Sequence, residues 1–122
     1  MSDEATGYDR DNVFARILRD EIPSDRVYED GEFIAFRDIN PAAPTHIVLI
    51  PRGEPPAGPA GLDDSDADWA GRMLVAASRI AAQEGLAEGG YRLVVNNGPD
   101  AGQEVPHLHM HILGGAGLGP IA

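Results

Sequence analysis

Three of the four histidines in this chain, His107, His109 and His111, stand two residues apart, with the apolar residues Leu108, Met110 and Ile112 between and after them. Alternation with a period of two is the pattern of a strand whose faces meet different surroundings. The spacing predicts a strand over residues 105–113 with the three imidazoles on one face and the three apolar side chains on the other. One face is set to bury and the other to carry chemistry.

Three uses of such a histidine row compete. A purely structural ladder must satisfy six ring nitrogens at one place, each costly to bury unpaired. Metal binding is limited by reach, because a rise of about 3.3 Å per residue puts the His107 and His111 Cα atoms roughly 13 Å apart, too far to share one ion held near 2 Å. An open two-histidine site completed by His46 stays possible, although the chain has no Cys and no His-Glu-x-x-His spacing. The third use is nucleophilic catalysis, in which the middle imidazole attacks an electrophile while its neighbours set its tautomer and protonate the leaving group. Glycine-rich turns on both sides, Gly98-Pro99-Asp100-Ala101-Gly102-Gln103 and Gly114-Gly115, let backbone approach an anionic group closely.

The run His107-Leu108-His109-Met110-His111-Ile112-Leu113 resembles the signature of the histidine triad (HIT) superfamily, in which three histidines alternate with apolar residues. Four further segments resemble its nucleotide-binding (HINT-like) branch in the same order. They lie at 14–23, 35–41, 43–51 and 90–96, so the resemblance spans residues 13–119. It implies an α+β domain of the HIT-like fold, in which a five-stranded antiparallel sheet carries one long and one short helix. It also implies a homodimer whose two sheets join into one of ten strands.

The remaining sequence agrees with a single domain over residues 13–122 behind a flexible segment at 1–12, which is polar and acidic. Asn12 is placed to cap a short helix with Val13, Phe14, Ile17 and Leu18 as its apolar stripe, closed by Pro23. Strands at 27–29 and 32–37 flank Asp30-Gly31, a strong hairpin pair, and both faces of the second are apolar. Residues 46–50 form a near-continuous apolar run opened by His46, as in a buried central strand. The principal helix is expected over 63–84, with Ser65 or Asp66 as cap, Leu74 and Val75 among its apolar face, and Gly85 ending it. Strands at 91–96 and 105–113 complete the sheet. Trp69 is a packing or interface residue.

A formal net charge of −11 with nine Arg and no Lys argues against a nucleic-acid polymer, whose affinity comes from cations neutralising phosphates. A single nucleotide phosphate can instead be held by backbone N–H groups and imidazoles. No apolar run reaches the roughly 18 residues of a membrane span, and the acidic start does not look like a secretory signal. A cytoplasmic protein that acts on a small molecule is expected.

The resemblance assigns roles residue by residue. His109 matches the nucleophile that attacks the α-phosphorus of a nucleoside phosphoramidate and becomes transiently nucleotidylated. His111 matches the imidazole at the phosphate and leaving group, and His107 and His46 match its supporting pair. Asn96, Gly102, Gln103, Glu104 and Val105 match the phosphate cradle, and Asp38 the acid that binds the ribose hydroxyls. Phe14, Ile17, Ile22, Phe36, Ile39 and Val48 match the base pocket. The implied activity is that of a purine nucleoside phosphoramidase, with no metal and no cofactor; the alternative is a nucleotide-binding regulatory module. Glu104 and Pro106 stand where many relatives have Ser and an aromatic residue, and no Trp-containing tail follows Gly119.

Overall fold

The computed structural model describes residues 7–121. Helix α1 (Val13–Leu18) begins at Asn12, whose side-chain oxygen accepts the Ala15 N–H at 2.9 Å. It ends five residues before Pro23, so proline is not what stops it. Asp20 adopts a left-handed φ of 60°. The Asp20 and Glu21 N–H groups turn back to the Ile17 and Arg16 carbonyls, which closes the last turn internally. Phe14, Ala15 and Ile17 are buried, whereas Val13, expected on the same stripe, is exposed.

Strands β1 (Arg26–Glu29) and β2 (Phe33–Arg37) form the expected hairpin, in which the Asp30 carboxylate accepts the Glu32 and Phe33 N–H groups. Strand β3 (Thr45–Pro51) is central, followed by α2 (Ala67–Gln83), β4 (Tyr91–Val94) and β5 (Met110–Gly114). All neighbours pair antiparallel, in the order β1-β2-β3-β5-β4. The sheet buries both faces. Phe33, Ala35, Ile47, Leu49, Leu108, Met110 and Ile112 pack with α2, while Ile34, Phe36, Val48 and Ile50 pack with Phe14 and Ile17 of α1. The period-two pattern of β2 and β3 thus feeds two cores rather than one.

Helix α2 starts later than expected, after a 3₁₀ turn at Asp64–Asp66. Asp66 holds the N-cap position of α2 as expected but makes no side-chain bond into it; the capping box belongs to the 3₁₀ turn, where the Asp63 side chain accepts the Ser65 N–H and Asp66 reaches back to the Asp63 N–H. Gly85, with a φ of 75°, supplies the expected end, since its own N–H and that of Leu86 return to Ala82 and Ala81. Leu74 and Val75 do not join the core; they are half-exposed. Trp69 packs against the core and donates its indole N–H to Asp66.

Two boundaries are corrected at the histidine run. β5 begins at Met110, not 105, and β4 ends at Val94, not Asn96. The last β3–β5 pair is Leu49 with Met110, and before it the backbone finds other partners. The Leu108 N–H goes to the Pro56 carbonyl and the His107 N–H to that of Val105. His107 and His109 therefore precede the strand. The alternation survives, because Leu108 still enters the α2-side core.

Part of the segment expected to be flexible, 1–12, packs on the domain. Tyr8 and Asn12 are buried, and Asn12 is held by the Asp9 carbonyl. The first six residues lie outside the described part of the chain.

Candidate active site

A cleft of about 360 Å³ opens between α1, the end of β2 and the turn before the histidine run. It is lined by His109, His111, Asp38, Asn96, Gly102, Gln103, Glu104, Val105, Phe14, Ile17, Ile22, Phe36, Ile39 and Val48. Among the residues assigned from the sequence, only His107 and His46 lie behind this wall. Val13, Pro23, Ser24 and Arg37 also line it and were not singled out. The apolar lining residues do two jobs, since Phe14, Ile17, Phe36 and Val48 also form the α1-side core. Ile39 is exposed and stands at the lip.

Each buried imidazole has its nitrogens accounted for. The His107 ring, 0% exposed, donates from Nε2 to the Pro51 carbonyl at 2.9 Å and accepts at Nδ1 from the Tyr8 hydroxyl at 2.6 Å. Since a carbonyl can only accept, the hydrogen must sit on Nε2. The His107 carbonyl in turn accepts Nδ1–H of His109 at 2.7 Å. The remaining nitrogen of His109, Nε2, is left with its lone pair free. The Phe14 ring stands edge-on to His109, 4.9 Å between centroids, and restricts its rotation.

A second relay fixes His111. The Ala42 N–H donates to His46 Nδ1 at 3.0 Å, which places the His46 ring hydrogen on Nε2. That N–H donates to His111 Nδ1, 2.8 Å between the two nitrogens, and leaves Nε2–H of His111 as a donor. The two cleft imidazoles thus carry opposite functions, a lone pair on His109 and an N–H on His111, with ring centroids 5.0 Å apart.

Burial lowers the pKa of all three triad histidines. His107 falls to about 4, chiefly by burial, opposed by the Pro51 carbonyl. His111 also falls to about 4, first by burial and then by the like charges that His109 and His46 would carry. His109 is lowered by burial, while the His107 carbonyl pulls the other way. All three are neutral near pH 7.

Asp38 faces both ways. Its Oδ1 accepts the Asn40 N–H at 2.8 Å in the turn before Pro41, and its Oδ2 lies 3.5 Å from His46 Nε2. Asp38, His46 and His111 each offer one ligand atom, all within 4.8 Å of one another, a set that differs from any pair of triad neighbours. The Gln103 side chain is turned away from the cleft to brace its loop, accepting the Gly98 N–H and donating to the Ala57 and Val105 carbonyls. Its backbone N–H is also taken, by the Gly98 carbonyl, as that of Gly102 is by the Pro99 carbonyl. Gly98 and Gly102, with φ of 83° and 78°, let the turn double back. Arg37 is committed to Glu84 and Asp25, so its charge is not free for a ligand.

Sequence reasoning missed Tyr8 and the backbone groups of Pro51 and Ala42. The only local signal for Tyr8 was an aromatic residue in an otherwise polar leader; nothing marks a particular carbonyl or amide.

The chain is similar to proteins of one family. A relative named purine nucleoside phosphoramidase from Escherichia coli (strain K12) is 50% identical over 114 residues, 91% of this chain and 92% of its own. The "14 kDa zinc-binding protein" of Zea mays is 47% identical, covering 88% of this chain and 84% of its own. Among solved structures, a histidine triad protein from Clostridium difficile superposes with a TM-score of 0.87 at 38% identity, over 93% of this chain and 98% of that one. The family model of the HIT domain matches residues 19–118, and with the triad, the five-stranded sheet and these relatives it makes this chain a member of the HIT family.

Proposed function

We propose that the protein is a purine nucleoside phosphoramidase, a hydrolase that cleaves the bond between the α-phosphate of a nucleoside monophosphate and an amine. The observation that carries this reading is the tautomer of His109. Its Nδ1–H is tied to the His107 carbonyl, which leaves Nε2 as a neutral nucleophile beside the His111 donor. The similarity to the Escherichia coli relative of that name supports it.

In this mechanism Nε2 of His109 attacks the α-phosphorus, the P–N bond breaks, and the amine leaves with a proton. His111 donates its Nε2–H to that nitrogen as a hydrogen bond, and the proton itself comes from solvent, because His111 Nδ1 is held by His46 and takes up no second hydrogen. Water then attacks the nucleotidyl-histidine, and the nucleoside monophosphate departs. Two steps replace direct attack of water on a charged phosphate. Asp38 accepts from the ribose hydroxyls, the apolar wall at Phe14, Ile17, Ile22, Phe36, Ile39 and Val48 holds the base, and the backbone N–H groups of Glu104 and Val105 with Asn96 cradle the phosphate, while Gly102 and Gln103, whose N–H groups close the turn, shape it.

We further take residues 13–122 as one HIT domain that functions as a homodimer in the cytoplasm. Among the described residues no helix is long and apolar enough to cross a membrane.

A zinc reading has its own support in the convergence of Asp38, His46 and His111. Two imidazoles and a carboxylate suit zinc, which would act there as a Lewis acid on a phosphoryl oxygen. Against it, binding at these nitrogens would break the hydrogen bond between His46 and His111 that fixes the His111 tautomer.

The test is turnover of an adenosine phosphoramidate carrying a fluorescent amine. His109→Ala should lose at least several powers of ten, beyond the roughly 10²–10⁴ of an acid–base group alone. A parent protein without turnover would leave the regulatory-module alternative standing.

A further inference from the structure

The hydroxyl of Tyr8 and the imidazole of His107 are 99 residues apart in the chain, yet they form a buried hydrogen bond of 2.6 Å with their rings edge to face. Tyr8 does not line the nucleotide cleft. Its hydroxyl reaches the one ring nitrogen of His107 that the Pro51 carbonyl does not occupy. The Asn12 side chain, which caps α1 and donates to the Asp9 carbonyl, lies near the same phenol.

We propose that Tyr8 is a positioning residue of the triad, whose hydroxyl locks the His107 ring and, through the His107 carbonyl, the tautomer and direction of His109. The argument rests on the reading of His109 as nucleophile. Without a donor at Nδ1, the fully buried His107 ring would keep a lone pair that no protein group satisfies. It could then turn over, presenting carbon where Pro51 needs a donor, or admit water. Either change shifts residue 107, whose carbonyl is, among the described residues, the partner that anchors His109 Nδ1. Phe14 adds a second link, because its ring lies against both His107 and His109. Tyr8 thus acts from behind the wall, which separates its effect from substrate binding.

The experiment compares the full-length parent, Tyr8→Phe, and a protein with 4-aminophenylalanine at position 8, whose aniline N–H restores a donor near the same place. For an adenosine phosphoramidate, Tyr8→Phe should lower kcat roughly tenfold with KM changed by less than about twofold. The aniline variant should recover most of that loss. Imidazole ¹⁵N shifts of the resting proteins should show His107 as the single Nε2–H tautomer in the parent and as a mixture in Tyr8→Phe. These shifts need no turnover, so an inactive parent would count against the phosphoramidase reading while the tautomers still decide the role of Tyr8. The proposal is overturned if Tyr8→Phe keeps the parent tautomers, or if it loses activity that the aniline does not restore in a protein of unchanged melting temperature.

Discussion

Acidification from pH 6.5 to 4.5 should destabilise the fold through its histidines before its carboxylates take part. His107 titrates near 6.5 when unfolded and near 4 when folded. A base with a lowered folded pKa contributes stability that is fully present above the unfolded value and is lost as pH falls toward the folded one. Across this window the unfolded ring takes up a proton that the folded ring refuses. One pKa unit corresponds to about 1.4 kcal/mol, so His107 alone should lose about 2 kcal/mol between pH 6.5 and 4.5. His111 changes in the same direction with a smaller share, because it is partly open to solvent and its charge is screened. Glu21 and Glu32, held below the usual 4.5 by Arg19 and Arg72, add their losses only at lower pH. The measurement is urea unfolding at fixed protein concentration across this range, for the parent and for His107→Gln. A glutamine amide can donate toward Pro51 and accept from Tyr8 without titrating. Every other group is shared, so the difference in pH slope belongs to the ring. Parallel curves for parent and variant would refute the account of a neutral, buried His107.

Three further outcomes are expected. Asp38→Asn keeps an acceptor for the Asn40 N–H but loses the charge, and kcat/KM should fall roughly ten- to a hundredfold; in a cycle of Asp38→Ala with ribose and 2′-deoxyribose substrates, the variant should be nearly blind to the hydroxyl, whereas a retained preference would make Asp38 a turn residue alone. Exhaustive chelation should leave turnover intact; one tightly held ion per chain, needed for activity and restored by zinc, would move the site of Asp38, His46 and His111 to the front. Sedimentation at micromolar concentration should find a dimer, since α2 leaves Leu74 and Val75 exposed and β4 is an uncovered edge strand. A monomer throughout would contradict it.

The sequence alone determined what depends on neighbours along the chain. Alternation fixed which of residues 107–112 face the core, Asp30-Gly31 fixed the hairpin, and Asn12 and Gly85 fixed two helix ends. Such features need only the local period or one backbone conformation. The resemblance also assembled the cleft lining, because the motif segments hold its positions. What only the tertiary structure decided lies between distant segments. Which nitrogen of His109 keeps its lone pair depends on the His107 carbonyl, and His107 is held by Tyr8 and by Pro51, 56 residues away. The polarity of His111 depends on His46, 65 residues away, and on the Ala42 amide. An imidazole has two chemically similar nitrogens, and which one carries the proton is set by the partner that packing delivers, so neither spacing nor composition could assign it.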